Sequence, residues 1–571
     1  MTADARGFPV AEACAIGLLA LLVRLANLDH TPFVDEMNHV IAAGSLLREG
    51  SLLLDSGAEY LRARHFTWMV AGSMAIFGEN LSAARLPSVL AGTLLVVAVF
   101  LWVRQAFGRW EGWTAGILLM LAPQAIYHSQ LTRFYSFQAL YLLGVAWCAW
   151  RLVELPSWRS RSAPLLLLGG LVLAWGALSV QFSSLVGLGA IGIWFVGALG
   201  FRVIRIGIHR TRPAATVLGF GALLLGAAAW LHLSGFGYRA IGMFDQVDLW
   251  ADAHRSNFRF YHDHLLSHYP LLWASFPIIA LLALRRQPSL SSLWLLVFAL
   301  VFTVHSVSAW KAERYIFYVL PFFFALTGVV VGPLLRWLLA EFTRGVEGII
   351  GAGSRRIAMG AGVGLLTLSL LFAAWGNSAF PYSARMIGGT DASWPFPVLY
   401  RGEADWGAVA RELEDEISGA DVVVVSTEQK AQYFLGRGEL VLSVNYLDQD
   451  RSGTPRPEFT RNWKTGTPMI HRPETVDMVV ACRRSGLILV ERNHWRQAWS
   501  VPDLVADRIE ELARRVPLAE GWRVVAFEWD HGAGFEARPD ECSPLLAPAQ
   551  AGVAMAAPPS VTGETPSTTR S

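Results

Sequence analysis

Two adjacent carboxylates, Asp35 and Glu36, follow the first apolar stretch of the chain almost directly. Carboxylate oxygens bind divalent cations, and a carboxylate at a membrane surface can also take a proton from a hydroxyl or an amine. The same residues could instead cap a helix predicted at 37–48, because acidic side chains are favoured at a helix N-terminus. The residue types therefore allow a metal site, a general base or a helix cap.

Cations stand beside aromatic residues in three further segments, each next to an apolar stretch. These substrate-binding candidates are Arg62, Arg64 and His65 in the first segment, His128, Arg133 and Tyr135 in the second, and Lys311, Arg314 and Tyr315 in the third. Arg suits bidentate contact with a phosphate, so the three segments could converge on one lipid phosphate. Juxtamembrane cations also anchor to lipid headgroups, and both interpretations stay open.

The composition indicates which elements must position these residues. Of 571 residues, 53% are hydrophobic and 16% are charged, and the formal net charge is +2. A soluble protein is about 25% charged, so the chain is neither an ordinary soluble enzyme nor a disordered protein, and it lacks the basic blocks of a nucleic-acid binder. Lys occurs only at Lys311, Lys430 and Lys464, so each Lys is of interest.

Apolar runs long enough to cross a bilayer recur from residue 10 to residue 376, and they predict about eleven transmembrane helices. The predicted helices are 10–28, 84–103, 112–127, 134–150, 163–180, 184–201, 214–234, 269–284, 290–307, 315–338 and 357–375. The predicted fold class is therefore a polytopic α-helical membrane protein, with a transmembrane domain over 1–376.

The distribution of Arg predicts the orientation in a plasma (inner) membrane. Arg residues cluster in alternate loops, at 104–109, 151–161, 202–212, 285–286 and 336–356. Cytoplasmic loops carry an excess of Arg and Lys, so these loops and the N-terminus are predicted to be cytoplasmic. The first long loop, 29–83, and everything after residue 376 are then exported.

The exported C-terminal region changes in composition and predicts a small α/β domain over 377–543. Strand candidates are 421–426, 439–444, 486–490 and 522–527, and helix candidates are 406–417 and 504–516. Residues 544–571 are rich in Ala, Pro, Ser and Thr without periodicity, which predicts a disordered tail. Cys482 and Cys542 both lie on the exported side, where they could form a disulfide or remain free thiols.

Three segments together resemble a known family. The Asp-Glu pair after the first helix is followed by an amphipathic loop, by IFG and by ARLPSVLAGTLLVVAVF; YHSQLTRFYSFQALY and KAERYIFYVLPFF follow in order. This arrangement resembles the GT-C glycosyltransferases that use polyprenyl-phosphate sugars, in the branch of protein O-mannosyltransferases and lipid A aminoarabinose transferase. The resemblance covers about residues 10–340.

The resemblance implies a role for Asp35, which occupies the position of the family's essential loop aspartate. It implies that Asp35 is the base, or the metal-linked carboxylate, that activates the acceptor, with Glu36 beside it. A divalent metal ion is the only cofactor that follows, held by Asp35 and Glu36 or, less favoured, by Glu59.

The sequence also departs from the family pattern. Arg62 stands where relatives carry Lys or His before a Pro-Pro pair, and this chain has Ala63 and Arg64 there. A second aspartate of some relatives falls near Gln138. These differences favour a mechanism with one carboxylate, or a metal held through Glu36 or Glu59, over a two-carboxylate metal site.

The sequence thus predicts a membrane glycosyltransferase that moves a hexosyl or pentosyl group from a polyprenyl-phosphate donor to an acceptor on the exported face, with inversion. No P-loop or Rossmann glycine pattern is found, which favours a lipid-linked donor over a nucleotide sugar. The alternatives are a multi-spanning polymerase or ligase of lipid-linked glycans, a transporter or flippase, and an anchor for the C-terminal domain. No internal repeat supports a transporter, and the acidic loop comes first rather than late as in a polymerase.

Overall fold

The structure is a computed structural model that describes residues 9–156, 160–206, 258–308, 311–350, 360, 379–388, 404–444, 457–536 and 542. It consists of a helical part up to residue 388 and a C-terminal α/β domain from residue 404. The helices of the helical part are α1 (Val10–Leu25), α2 (Val34–Glu49), α3 (Arg64–Phe77), α4 (Leu81–Ala106), α5 (Arg109–Met120), α6 (Pro123–Gln130), α7 (Tyr135–Glu154), α8 (Ser162–Val180), α9 (Ser184–Ile206), α10 (Phe260–His268), α11 (Pro270–Ala274), α12 (Phe276–Arg286), α13 (Pro288–Val307), α14 (Arg314–Phe317), α15 (Leu320–Ile350) and α16 (Ala379–Gly388).

Six helices in the described ranges are long and apolar enough to cross a membrane. The candidate spans are Leu81–Ala106, Tyr135–Glu154, Ser162–Val180, Ser184–Arg202, Pro288–Val307 and Leu320–Arg344. They confirm the predicted class of a multi-span helical protein. The predicted helices 214–234 and 357–375 lie outside the described residues, so the count of eleven stays a prediction.

Three of the predicted helices are divided. The stretch 112–127 forms α5 and α6, because Leu121 and Ala122 leave helical geometry just before Pro123. The stretch 269–284 likewise forms α11 and α12, and 315–338 forms α14 and the start of α15.

Close helix packing orders the bundle around one apolar core. Gly328 and Gly332 of α15 face α5, where an added Cβ would lie 2.6 Å from the Ala115 Cβ or 2.7 Å from the Glu111 Cα. Small residues four apart therefore let the two backbones meet, as they do in many membrane helix pairs. The same core takes in α4, α7 and α13, so the loops at the helix ends near Asp35 rest on a packed base.

The C-terminal domain holds a six-stranded mixed sheet between two layers of helices. Its elements are α17 (Trp406–Glu412), α18 (Glu414–Gly419), β1 (Val422–Val425), α19 (Glu428–Leu435), β2 (Leu440–Leu442), β3 (Met469–Ile470), α20 (Pro473–Cys482), β4 (Ser485–Glu491), α21 (Asp503–Leu512), β5 (Arg514–Val516), a 3₁₀ turn (Glu520–Trp522) and β6 (Val524–Asp530). The strand order is β3-β2-β1-β4-β6-β5. The first four strands are parallel, and β6 is antiparallel to both β4 and β5.

The burial of β1 explains its sequence of four consecutive Val residues. Val422 and Val424 pack on one face of the sheet, and Val423 and Val425 pack on the other. A strand covered on both faces reads as a continuous apolar run. The predicted α/β domain is confirmed, although the predicted helix 504–516 ends at Leu512 and its last residues form β5. The predicted tail 544–571 lies outside the described residues.

The domain is joined to the loop between α2 and α3 by hydrogen bonds of Ser56. The Ser56 N–H donates to the Lys464 carbonyl over 3.0 Å, and the Ser56 hydroxyl donates to the Trp463 carbonyl. Gly466 closes the turn beside them with φ of +73°, and its missing Cβ would lie 3.5 Å from Ser56. Helix α19 packs on α2, so the sheet lies over the helix that carries Asp35.

Candidate active site

Glu36 anchors the start of α2. One carboxylate oxygen accepts from the Phe33 N–H over 2.8 Å, which is the backward reach of a helix-capping glutamate. Both oxygens also accept from the Arg85 guanidinium, each over 3.0 Å, and the Thr132 N–H donates over 2.7 Å. Burial alone would raise the pKa of Glu36, but Arg85 outweighs burial and holds this pKa below its usual value.

These contacts indicate a structural role for Glu36, whereas the sequence suggests a catalytic or metal-binding role. Glu36 and Arg85 are both fully buried, and four donors already occupy the two carboxylate oxygens. The pair ties α2 to α4 and to the turn at Thr132. The helix-cap interpretation therefore fits Glu36, and it leaves Asp35 as the carboxylate that faces the site.

Asp35 remains accessible beside a buried arginine. Its side chain is 34% exposed, and its Oδ2 lies 3.4 Å from the Arg133 Nη2. The Arg133 Nη1 also donates to the Asp35 carbonyl over 3.1 Å, and the Nη2 donates to the Tyr135 hydroxyl over 3.1 Å. The Arg133 Nε is buried without a partner in the described part of the chain. Arg133, a residue type that can bind an anion through two N–H groups, is thus held next to the accessible carboxylate of Asp35.

Cations from separate segments converge on Asp35. Burial alone would raise the pKa of Asp35, but Arg133, then Arg314, Arg62 and Lys464, outweigh burial and lower this pKa. Arg133, Arg314 and Arg62 come from the three segments singled out in the sequence. Their convergence, which the sequence leaves open, is therefore present in the fold.

Aromatic rings and one amide fix two of these arginines. The Arg62 Nη2 donates to the Gln181 Oε1 over 3.0 Å, and the Arg62 guanidinium lies 5.4 Å from the Phe134 ring centroid. The Arg314 guanidinium lies 5.3 Å from the Tyr315 ring centroid. Both guanidinium groups thus lie against aromatic rings near Asp35, and Arg suits bidentate contact with a phosphate, so both stay candidates for phosphate binding.

Lys311 differs from the sequence expectation. It is buried, and its ammonium donates to the His305 carbonyl over 2.9 Å, to the Ser308 carbonyl over 2.6 Å and to the Ser306 carbonyl. An ammonium has three N–H donors, so all of them are used at the C-terminal end of α13. Burial lowers the pKa of Lys311 to about 8. Lys311 therefore closes a helix end, and Arg314 is left as the cationic candidate of this segment for phosphate contact.

The other candidates lie at the margin of the cluster. His128 is buried among aromatic rings, with ring centroids 4.7 Å from Phe317 and 5.1 Å from Tyr135, so it backs the site. His65 faces Tyr141 and Trp175, with centroids 6.2 and 6.0 Å away, and thus lies among helices.

The remaining candidates from the first loop are surface residues. Arg64 is exposed at the first turn of α3. Glu59 is exposed and pairs through its backbone with Leu53 in a short β-bridge. Since Arg64 and Glu59 both lie at the surface, their predicted roles stay predictions.

The residues around Asp35 do not fit a divalent metal. The oxygens of Glu36 are occupied, Glu59 is at the surface, and no group of three His, Cys, Asp or Glu side chains suited to a metal occurs among the described residues. The surroundings are cationic, which would repel a second cation. A metal ion therefore has no part in the mechanism derived below.

The sequence interpretation missed several residues that build the site. Arg85 lies in the apolar run of α4, and nothing in the neighbouring sequence indicated its ion pair with Glu36. His39 lies one turn after Asp35 and is buried between Thr67, at 2.9 Å, and the Tyr60 hydroxyl, at 3.3 Å. The i, i+4 spacing of Asp35 and His39 on a predicted helix was a usable signal.

Solved structures share this fold. ArnT from Cupriavidus metallidurans in the apo state is 14% identical, with 91% of this chain and 97% of that chain covered, at a TM-score of 0.54. The same protein bound to undecaprenyl phosphate is 15% identical over the same shares, at a TM-score of 0.51. The archaeal oligosaccharyltransferase AglB from Archaeoglobus fulgidus, in complex with an inhibitory peptide and a dolichol-phosphate, is 12% identical, with 76% of this chain and 64% of that chain covered, at a TM-score of 0.50.

Sequence comparisons reach a shorter segment. The family model for dolichyl-phosphate-mannose-protein mannosyltransferase matches residues 63–227. A search of curated protein sequences finds no match. The structural match with ArnT covers 91% of the chain, so it includes the C-terminal domain, which the sequence resemblance did not reach. The resemblance is therefore confirmed at the level of the fold, and the chain has the fold of ArnT from the membrane helices to the C-terminal domain.

Proposed function

We propose that this protein is a glycosyltransferase that moves a sugar from a polyprenyl-phosphate donor to a hydroxyl or amine acceptor at the membrane surface, with inversion of the anomeric centre. The observation that carries the proposal is the convergence of Arg62, Arg133 and Arg314 on one accessible carboxylate, Asp35. The two solved relatives bound to undecaprenyl phosphate or a dolichol-phosphate support a lipid-phosphate donor.

The charges match the bonds that change. The bond between the anomeric carbon and the phosphate oxygen breaks, and the phosphate leaves as a monoester with one more negative charge. Arg133, Arg314 and Arg62 stabilise that added charge more in the transition state than in the donor. The acceptor oxygen or nitrogen attacks from the opposite side and gives its proton to Asp35.

The surrounding cations also make the basicity of Asp35 depend on whether the donor is bound. Without a phosphate, Arg133 and its neighbours hold the pKa of Asp35 below its usual value, so the carboxylate is ionised but weakly basic. A bound donor phosphate would neutralise part of that positive charge and raise the proton affinity of Asp35. The base then becomes effective when the donor is in place.

The orientation belongs to the same proposal. Cys482 and Cys542 form a disulfide, and disulfides persist in oxidising compartments outside the cytoplasm. Together with the Arg-rich loops, this supports a multi-pass protein of the plasma (inner) membrane with a cytoplasmic N-terminus and an exported C-terminal domain.

The test uses the full chain purified into lipid nanodiscs with undecaprenyl-phosphate donors that carry radiolabelled hexoses or pentoses. We expect release of sugar from at least one donor, and loss of release in the Asp35→Asn variant. Asp29→Asn is the matched control, because Asp29 is an exposed acid of the same loop. Failure of the wild-type protein to release sugar from every donor would refute the proposal.

A further inference from the structure

The sheet of the C-terminal domain has a topological switch point at β1. The chain leaves β1 for β2 and β3 on one side, and it then returns to β4 on the other side. Where parallel strands diverge in this way, a crevice opens at their carboxyl ends, and α/β proteins bind ligands there. The residues that follow β1 and the last residue of β4, Glu491, form this carboxyl edge.

Buried polar side chains fill that carboxyl edge. The Lys430 Nζ lies 2.8 Å from the Glu491 Oε1, and the Trp406 Nε1 donates to the same oxygen over 2.8 Å. Lys464 lies 3.3 Å from the Glu428 Oε1. The two Lys–Glu pairs are buried and balance each other in charge, so the edge has ordered donors and acceptors without a surplus of either sign.

Two side chains at this edge have hydrogen-bonding atoms without partners. Gln429 is fully buried, and both its amide oxygen and its amide nitrogen are without a partner among the described residues. The Thr427 hydroxyl beside it is in the same state. A buried polar group without a hydrogen-bond partner destabilises the folded state, and native proteins rarely leave one unless a ligand or water uses it.

The edge faces the catalytic cluster. Helix α19, which starts at Glu428, packs on α2, which carries Asp35. Lys464 is fixed above the first exported loop by the contacts of Ser56 with residues 463 and 464. Lys464 also contributes to the positive surroundings of Asp35. Lys464 therefore links the carboxyl edge of the sheet to the surroundings of Asp35.

We propose that the carboxyl edge of the sheet, with Gln429 and Thr427 at its centre, is the acceptor subsite and binds a neutral glycan. This inference rests on the proposed function, because it assigns the second substrate of the same reaction.

The chemistry of the edge favours a neutral, hydroxyl-rich ligand. A primary amide offers a donor and an acceptor side by side, and a vicinal pair of sugar hydroxyls offers the complement. Both Lys residues already have carboxylate partners, so an anionic headgroup would be buried without a free cation. Trp463 is 37% exposed next to Lys464 and presents a flat face to sugar C–H groups.

The experiment measures saturation-transfer NMR on the full chain in nanodiscs with methyl α-D-mannopyranoside, methyl α-D-glucopyranoside and lactose as neutral probes, and glucose 1-phosphate as the anionic probe. We expect transfer to at least one neutral probe and a fall of about fivefold or more in the Gln429→Met variant. The thermal stability of this variant should not fall, because the substitution removes an unpartnered amide. Gln287→Met is the matched control, because Gln287 also has an unpartnered oxygen but lies between α12 and α13.

Equal transfer in wild-type protein and Gln429→Met, no transfer to any neutral probe, or a preference for glucose 1-phosphate would each overturn the subsite. If Gln429→Met does not fold, the near-isosteric Thr427→Val variant must show the same loss of transfer. Sugar release from the polyprenyl donor is measured on the same wild-type sample. Glycan binding without release would contradict the proposed function, and release without glycan binding would contradict the subsite alone.

Discussion

Asp35 and Glu36 are adjacent carboxylates, and replacing each by its neutral amide should affect different properties of the protein. In Glu36→Gln, one oxygen is replaced by an NH₂ group that faces N–H donors, because Glu36 accepts from Arg85, Phe33 and Thr132. Breaking a buried ion pair from one side costs about 3–5 kcal/mol. Folded proteins are stable by about 5–15 kcal/mol, so this variant should lose much of its stability.

The Asp35→Asn variant should instead fold normally and lose turnover. Asp35 is 34% exposed, and one of its two contacts with Arg133 uses the backbone carbonyl, which the substitution leaves in place. Loss of a general base lowers turnover by about 10²–10⁴-fold, or about 3–5 kcal/mol in the barrier. The two substitutions thus have similar costs in free energy, but Glu36→Gln lowers the stability of the fold and Asp35→Asn raises the activation barrier.

Thermal unfolding and size-exclusion profiles in detergent measure the first loss, and sugar release under saturating donor measures the second. Binding of undecaprenyl phosphate should persist in Asp35→Asn. The reasoning is wrong if Asp35→Asn keeps full turnover, or if Glu36→Gln is as stable as the wild-type protein.

Four further variants test the assignments around the site. Lys311→Met should lower the free energy of unfolding by about 1.5–3 kcal/mol, because charged hydrogen bonds at the end of α13 are lost. Its affinity for undecaprenyl phosphate should not change, and a weakened affinity in a folded variant would return Lys311 to the phosphate site. Arg314→Gln should show the reverse, with affinity in a binding titration reduced about tenfold, and normal affinity would remove Arg314 from the site. Burial raises the pKa of Glu313 from 4.5 to about 7, so between these pH values the folded state holds a proton that the unfolded state releases. The stability that protonated Glu313 contributes is therefore complete below pH 4.5 and is lost as the pH rises through 7. Thermal unfolding from pH 5 to 8 should therefore show Glu313→Gln gaining on the wild-type protein, on the order of 3 kcal/mol at the upper end, and parallel curves would contradict this burial. Joint replacement of Cys482 and Cys542 by Ser should cost about 4 kcal/mol, from a closed loop with a sequence separation of 60, and an unchanged unfolding temperature of the C-terminal domain would show that the bridge does not stabilise it.

Patterns that act locally were predictable from the sequence. Apolar length predicted the multi-span helical class, since a bilayer requires a run of apolar residues whatever the tertiary structure. The run of Val residues predicted β1, and alternating helices and strands predicted the α/β domain. The family resemblance and the order of its motifs indicated the fold that the solved structures confirm.

Other predictions failed where a local pattern met a competing partner. The run 112–127 has the composition of one helix, but it breaks before Pro123. Lys311 has the composition of a phosphate ligand, yet the carbonyls at the end of α13 take all of its donors. Nothing in the neighbouring sequence shows which acceptor a cation will find.

The sequence by itself determined that the chain holds a carboxylate pair, several arginines beside apolar stretches and an α/β domain, and it predicted that they lie on one side of a membrane. Only the tertiary structure decided between Asp35 and Glu36, because the partner of Glu36 is Arg85, 49 residues away on another helix. It also decided that Lys464 of the C-terminal domain would reach the surroundings of Asp35. Charge interactions depend on distance in space and on burial, and both are fixed only when remote segments pack together.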